Sequence, residues 1–169
     1  MVAAGIDSFK IEGRAKSEYY TAIVTYAYRN AIDAYLKNPV PDFQVPQWIL
    51  DEMEKMSHRV YTTGFNFGPI QNGQELNTGG YIRSWDVCAL FKDYKDGRLT
   101  VNQRNRFYED DVLEVVEPGK KPYQITVRNL INENDGERTT VANKATNIYS
   151  FDVDSAVSSD AIFRRQRTD

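Results

Sequence analysis

Charged side chains near the start of the chain have the types and spacing to bind an anionic substrate. Lys10, Glu12 and Arg14 share one face of a predicted strand, and Lys16 follows just before a predicted helix. A guanidinium binds a carboxylate through two parallel hydrogen bonds, and the free N–H groups of a helix N-terminus favour the same charge. In a strand–helix barrel, residues at the end of a strand point into the active site. We predict that Glu12, Arg14 and Lys16 contribute to a catalytic site that this chain does not complete; alternatively, they are exposed polar residues.

Four arginines form the second candidate set, and aromatic residues lie close to the first two of them. They are Arg104, Arg106, Arg164 and Arg165. Cations interleaved with aromatic rings bind single-stranded RNA by contacting phosphates and stacking on bases. Acidic residues at 109–111 would cancel much of this positive field, so a solvated surface is the alternative. We predict that the four arginines bind a macromolecular substrate, either protein or RNA.

Nucleophilic catalysis within the chain has little support. His58 is the single histidine and Cys88 the single cysteine, and they lie in different predicted elements. We expect His58 to bond backbone carbonyls at a helix end, and Cys88 to be a buried structural residue. One cysteine excludes a disulfide within the chain and a cysteine-ligated iron–sulfur site built from this chain alone. We predict no metal site and no cofactor in this part of the protein.

The first half of the chain reads as strand, helix, helix. Residues 8–12 alternate apolar and polar side chains as a strand does, and Ser17 is placed to cap a helix that runs to about Leu36. A shorter helix is predicted after Pro46. One strand and two helices cannot bury their own apolar faces. We therefore expect residues 1–77 to be the C-terminal end of a catalytic (β/α) barrel plus a linker, with residues 64–80 as a loop.

The second half reads as all β. Alternating apolar residues predict strands that begin near Trp85, Leu99, Val112, Tyr123 and Tyr149, and a short last strand lies at 161–163. Six short strands separated by turns suggest a small closed antiparallel β-barrel. The fold class predicted for the whole chain is α+β, with residues 78–169 as an accessory β-barrel domain.

Composition limits the remaining classes. Hydrophobic residues make up 41% and charged residues 27% of the 169 positions, as in a folded soluble domain. The net charge of −3 argues against non-specific nucleic-acid binding as the main role. No apolar run reaches the roughly 20 residues that a membrane helix needs, and the start lacks the pattern of a secretory signal. We predict a cytoplasmic protein with no membrane partner.

Several segments of the chain resemble a known family. G-I-D-S-F-K-I-E-G-R at 5–14, followed by K-S-E-Y-Y at 16–20, is similar to the first motif of the collagenase-like peptidases, peptidase family U32. S-H-R-V-Y-T-T-G-F at 57–65 resembles the second motif, with Val60 where the family usually has Pro. The segments around 105–114 and 162–165 resemble the C-terminal β-domain, except that Asp110 stands where Gly is common.

The resemblance implies a larger parent protein. Its catalytic barrel, and the cysteines of an iron–sulfur cluster in members that hydroxylate transfer or ribosomal RNA, would lie upstream of this chain. Such members are thought to act with prephenate, a dicarboxylate that would suit Arg14, whereas older family annotation is proteolysis of collagen-like substrates. We expect this chain to be an inactive C-terminal part of such an enzyme, whose partner is the upstream catalytic domain.

Overall fold

The computed structural model describes residues 1–66, 68–69 and 80–167. The chain divides into two compact units, Met1–Ser84 and Trp85–Asp169. In its described part, the first unit contains a short 3₁₀ helix, Val2–Ala4, and two α-helices, α1 (Glu18–Lys37) and α2 (Gln47–Glu54). The predicted loop at 64–80 lies partly outside the described residues.

Helix α1 begins where its sequence predicts. The Ser17 side chain accepts a hydrogen bond from the backbone N–H of Tyr20 at 3.2 Å, which satisfies one of the free donors of the first turn. Ile23, Val24 and Ala27 are buried, so the apolar face of α1 is packed. The predicted N-cap and helix are confirmed.

Helix α2 follows Pro46 as predicted and buries Ile49. The two helices are joined by an aromatic contact between Tyr26 and Trp48, whose ring centroids lie 6.2 Å apart. Glu52 is buried on α2, where Lys55 pairs with it at 3.0 Å. The first unit therefore has a small helical core rather than a sheet.

The strand predicted at 8–12 is wrong. Residues 6–13 carry no regular secondary structure, and no described segment pairs with their backbone. A strand exists only when its N–H and C=O groups have a neighbouring strand to bond. Apolar alternation describes which side chains point together, but it does not supply that partner. The origin of this unit as part of a barrel stays a prediction.

The second unit is an antiparallel β structure. Its described strands are β1 (Trp85–Lys95), β2 (Arg98–Gln103), β3 (Phe107–Tyr108), β4 (Val112–Val116), β5 (Tyr123–Thr126), β6 (Arg128–Asn132), β7 (Glu137–Arg138), β8 (Val141–Ala142), β9 (Ile148–Asp152) and β10 (Ile162–Gln166). Eight of them form one curled sheet in the order β5-β4-β10-β1-β2-β9-β6-β7, and β3 pairs with β8 separately.

Aromatic side chains fill the concave side of this sheet. Phe107 lies edge-on to Tyr149 and Phe151, and Phe151 lies edge-on to Phe163, with centroid separations of 6.1 to 6.5 Å. All four residues are at most 1% exposed. Cys88 is buried in the same core, as predicted. The predicted α+β class is confirmed.

The prediction of a closed barrel is wrong in one respect. In the described residues β5 and β7 are the outer strands of the eight-stranded sheet and do not pair with each other, so the sheet is barrel-like but open. Strand β7 has two residues, and the chain after it turns away into the β3–β8 pair. Edge strands this short offer few free backbone groups to another chain.

Neither helix of the described residues is both long and apolar enough to cross a membrane.

Candidate functional site

Lys16 and Tyr81 are brought together although they lie 65 positions apart in the chain. The Lys16 ammonium donates a hydrogen bond to the Tyr81 hydroxyl at 3.1 Å and lies 4.5 Å from the centroid of the Tyr81 ring. It also lies 5.3 Å from the ring centroid of Tyr20, on the first turn of α1. The backbone N–H of Lys16 bonds the carbonyl of Gly13 at 2.9 Å, so the turn before the helix is ordered.

Arg59 joins the same place from the second motif. The backbones of His58 and Ile82 form an antiparallel bridge, with N–H to O distances of 3.3 and 2.8 Å. This bridge sets Arg59 beside Tyr81, and the guanidinium carbon lies 5.0 Å from the ring centroid. We call Lys16, Tyr20, Arg59 and Tyr81 the Tyr81 cluster.

The Tyr81 cluster is positively charged and open to solvent. The hydrogen bond from Lys16, followed by the charges of Lys16 and Arg59, lowers the pKa of the Tyr81 hydroxyl. Arg59 is exposed and Tyr81 retains 37% of its surface. Within the described residues, no carboxylate forms an ion pair with Lys16 or Arg59. The arrangement can attract an anion.

Glu12 and Arg14 lie in the turn that precedes this cluster, and both are exposed. A Glu12 carboxylate oxygen accepts a hydrogen bond from the backbone N–H of Arg14 at 2.9 Å. Among the described residues, no contact joins the side chains of Glu12, Arg14 and Lys16. Their part in a catalytic site stays a prediction.

His58 occupies a structural position. It is 4% exposed, and its Nδ1 lies 2.8 Å from the carbonyl of Arg59, while Nε2 lies 3.2 Å from Glu54 of α2. Its ring stacks on Tyr61 at 4.6 Å. Burial, together with Glu54, raises the pKa of Tyr61 to about 12. The predicted contact of His58 with a backbone carbonyl is confirmed.

Arg104 and Arg106 are presented by a fixed loop between β2 and β3. The backbone N–H groups of Arg104 and Asn105 both bond the carbonyl of Cys88, at 2.8 and 3.1 Å. The Asn105 side chain bonds the carbonyl of Val87 at 2.7 Å. Both arginine side chains are exposed. The loop therefore presents two exposed cations on a backbone that these hydrogen bonds hold in place.

Two of the three acidic residues that follow this loop pair with other arginines, whereas Asp110 is exposed. Glu109 pairs with Arg138 at 2.7 Å, and Asp111 pairs with Arg165 at 2.5 Å. Asp111 also accepts a hydrogen bond from the backbone N–H of Tyr108. Because these carboxylates already have cationic partners, they cancel less of the charge of Arg104 and Arg106 than their sequence positions suggest.

The other two predicted arginines lie on β10 and are not part of this loop. Arg164 is 0% exposed and bonds Glu114, while its guanidinium lies 5.2 Å from the ring centroid of Trp85. Arg165 is half-buried. The structure therefore does not bring all four arginines onto one surface, and Arg164 does not offer its charge to solvent.

The described residues contain no group of three or more His, Cys, Asp and Glu side chains placed to hold a metal ion. Burial raises the pKa of the Cys88 thiol to about 12, whereas a metal ligand must be a thiolate. The described residues of this chain do not fit an iron–sulfur cluster.

The sequence patterns missed Arg59 and Tyr81 as partners of Lys16. Arg59 could have been found because it lies inside the second motif, at 57–65. Tyr81 lies in neither motif. Their meeting depends on the long-range bridge between His58 and Ile82, which no local period encodes.

Comparison with known proteins places the chain in a family. Residues 1–75 match peptidase family U32, and residues 83–164 match the C-terminal domain of peptidase family U32. The chain belongs to this family. A structure of the C-terminal domain of a U32 peptidase of Geobacillus thermoleovorans is similar at 24% identity, with a TM-score of 0.44, over 47% of this chain and 99% of that one.

Several relatives carry functional names. The chain is 32% identical over 160 residues to tRNA hydroxylation protein P1 of Bacillus subtilis, which covers 93% of this chain and 37% of that protein. It is 42% identical over 122 residues to tRNA hydroxylation protein P of Haemophilus influenzae, and this match covers 70% of this chain and 26% of that protein. An uncharacterized protease of Methanocaldococcus jannaschii is 41% identical over 70 residues, and this match covers 41% of this chain and 17% of that protein. The chain thus spans between 17% and 37% of the length of these relatives.

Proposed function

We propose that this chain is the C-terminal part of a protein that acts in tRNA hydroxylation in the cytoplasm, and that its β unit helps to hold the RNA. The observation that carries this proposal is the 32% identity, over 93% of the chain, to a relative named tRNA hydroxylation protein P1. The redox chemistry, with any iron–sulfur cluster, is assigned to the upstream catalytic domain, because this chain supplies one buried cysteine.

The geometry of the β unit supports contact with RNA. Arg104 and Arg106 are exposed on a loop whose backbone is fixed by Cys88 and Val87. Tyr108, two residues further on, is 40% exposed, and a flat aromatic ring beside cations suits a base. A preformed loop loses little conformational freedom on binding. We therefore assign the contact to Arg104, Arg106 and the edge around Tyr108, with Arg165 beside it.

A peptidase function has weaker support from the described residues. Cys88 is a buried thiol with a raised pKa, and His58 is enclosed by Arg59, Glu54 and Tyr61. Neither is arranged as an activated nucleophile or its base. The relative named an uncharacterized protease matches over 41% of this chain. Under the tRNA-hydroxylation proposal, the pure parent protein should not cleave gelatin.

Two measurements test the proposal. Deleting the gene of the parent protein should remove a hydroxylated nucleoside from cellular tRNA, as seen by mass spectrometry, and the intact gene should restore it. Restoration by a gene that encodes both Arg104→Gln and Arg106→Gln should be reduced. An unchanged nucleoside profile in the deletion strain, or gelatin cleavage by the pure parent protein, would count against tRNA hydroxylation.

A further inference from the structure

We propose that Lys16, Arg59 and Tyr81 form a second RNA contact, a site for one backbone phosphate on the first unit. The choice of RNA as the polyanion rests on the proposed function. The site itself rests on the geometry of the Tyr81 cluster, which neither the family match nor the relatives' names describe.

The cluster offers donors and no competing acceptor. Lys16 donates to the Tyr81 oxygen at 3.1 Å, so the hydroxyl of Tyr81 is left to donate its own proton outward. The ammonium of Lys16 has two further donors, and the guanidinium of Arg59 has a planar set suited to phosphate oxygens. Three kinds of donor thus surround one place.

The Tyr81 cluster carries two positive charges that an anion would neutralise. Both cationic groups lie within 5.0 Å of the same Tyr81 ring centroid, so their separation is at most twice that distance. Like charges held this close repel each other, and an aromatic ring offsets a cation only weakly at an exposed site. No carboxylate in the described part of the chain pairs with Lys16 or Arg59. A phosphate between the two groups would relieve the repulsion.

The site is held in place before any ligand arrives. Lys16 follows a turn closed by its own N–H on Gly13, and it directly precedes the capped start of α1. Arg59 and Tyr81 flank the bridge between His58 and Ile82. Donors fixed in this way bind with a smaller loss of side-chain freedom.

Exposure favours a polyanion over a small carboxylate. Tyr81 retains 37% of its surface and Arg59 is exposed, so the cluster is a surface and not an enclosed cavity. Sites for small ligands usually bury most of the ligand, whereas RNA backbones lie along open cationic surfaces that carry aromatic rings. We therefore assign a phosphodiester group.

The test is RNA binding by the 169-residue chain, measured by fluorescence anisotropy over a series of salt concentrations. The two probes are a labelled single-stranded RNA and an unmodified tRNA transcript. Lys16→Gln and Arg59→Gln should each weaken binding about fivefold. Each should also reduce, by about 1, the magnitude of the slope of the logarithm of the association constant against the logarithm of the salt concentration. Lys16→Arg should retain most of the affinity, and Tyr81→Phe should lose about twofold because it removes one donor.

Lys37→Gln is the matched control. It makes the same change of charge at the far end of α1, roughly 30 Å from Lys16 along a helix of this length. It should leave affinity and salt slope unchanged, and circular dichroism should show that all variants keep their helices.

The possible results separate the two proposals. If the wild-type chain binds RNA but Lys16→Gln and Arg59→Gln behave like Lys37→Gln, the phosphate site is overturned and the proposed function stands. If the chain binds no RNA at low salt, both the site and the RNA-holding role are lost. Displacement of the labelled RNA by citrate, but not by inorganic phosphate, would identify the Tyr81 cluster as a site for small carboxylates. This result would also overturn the proposal.

Discussion

Arg164 and Glu114 lie directly opposite each other on β10 and β4. The Nε and Nη2 atoms of Arg164 lie 2.9 and 2.5 Å from one oxygen of Glu114. The arginine is 0% exposed, and the glutamate side chain is 16% exposed. The charge of Arg164 is therefore buried, and Glu114 is a carboxylate that compensates it.

Removal of one partner should be costly. Glu114→Ala leaves a buried guanidinium without this carboxylate, and we expect it to lower the free energy of unfolding by about 3 kcal/mol. The double variant Arg164→Met, Glu114→Leu should recover most of this loss, because it removes both charges. Urea unfolding followed by the fluorescence of Trp85, in a Trp48→Phe background, reports on this unit.

An exposed ion pair provides the control for this measurement. Arg128 and Asp154 lie 3.4 Å apart with side chains 56% and 90% exposed. Arg128→Gln should change stability by less than about 0.5 kcal/mol. A Glu114→Ala variant as stable as Arg128→Gln would contradict the assignment of Arg164 as a buried charge that Glu114 compensates.

Local patterns predicted the elements whose own sequence carries a clear cap or alternation. Ser17 marks the start of α1 because its side chain bonds a donor within the same turn, and Trp85 to Phe91 forms part of β1 because its alternation meets a long sheet face. The short strands β3, β7 and β8, with two residues each, were not predicted, since two residues carry no period. Strand β6, with five residues, was missed as well.

The candidate sites show the same division. The exposed arginines of the β2–β3 loop could be named from sequence, but the pairing of Glu109 with Arg138, which joins positions 29 apart, could not. The contact of Lys16 with Tyr81 joins positions 65 apart. Contacts of this kind follow from the tertiary fold and not from local spacing.

Asp110 has a backbone conformation that glycine adopts more easily than residues with a Cβ do. Its φ is +69°, in the left-handed region, where a Cβ is unfavourable. Asp tolerates this region better than Ala does. Asp110→Ala should therefore be less stable than Asp110→Gly by about 1 kcal/mol. Thermal unfolding of the two variants measures the difference, and equal stability would show that the backbone is not strained here.

Cys88 should be inert in the folded protein. It is 0% exposed, and burial raises the pKa of its thiol to about 12, so almost no thiolate is present at neutral pH. We expect no reaction with a disulfide reagent such as dithionitrobenzoate under native conditions, and release of one equivalent of chromophore in guanidinium. Rapid reaction of the native chain would indicate that the core around Cys88 opens.

Glu117 should make the β unit sensitive to acid. Burial by itself acts to raise the pKa of this carboxyl, but the bond with Lys120 and the 2.8 Å bond from the backbone N–H of Ser158 outweigh it, so the pKa lies below the ordinary 4.5. A group whose pKa is lower in the folded state than in the unfolded state stabilises the fold above the unfolded pKa, and this stabilisation is lost as the pH falls through the folded pKa.

Glu117→Gln should therefore lower the free energy of unfolding by about 2 kcal/mol at neutral pH, and the difference from wild type should shrink as the pH falls below 4.5. Urea unfolding at a series of pH values measures this, with Glu137→Gln on the exposed strand β7 as the control of equal charge. A difference between wild type and Glu117→Gln that stays constant down to strongly acidic pH would show that the carboxylate of Glu117 is not held in its charged form by Lys120 and Ser158.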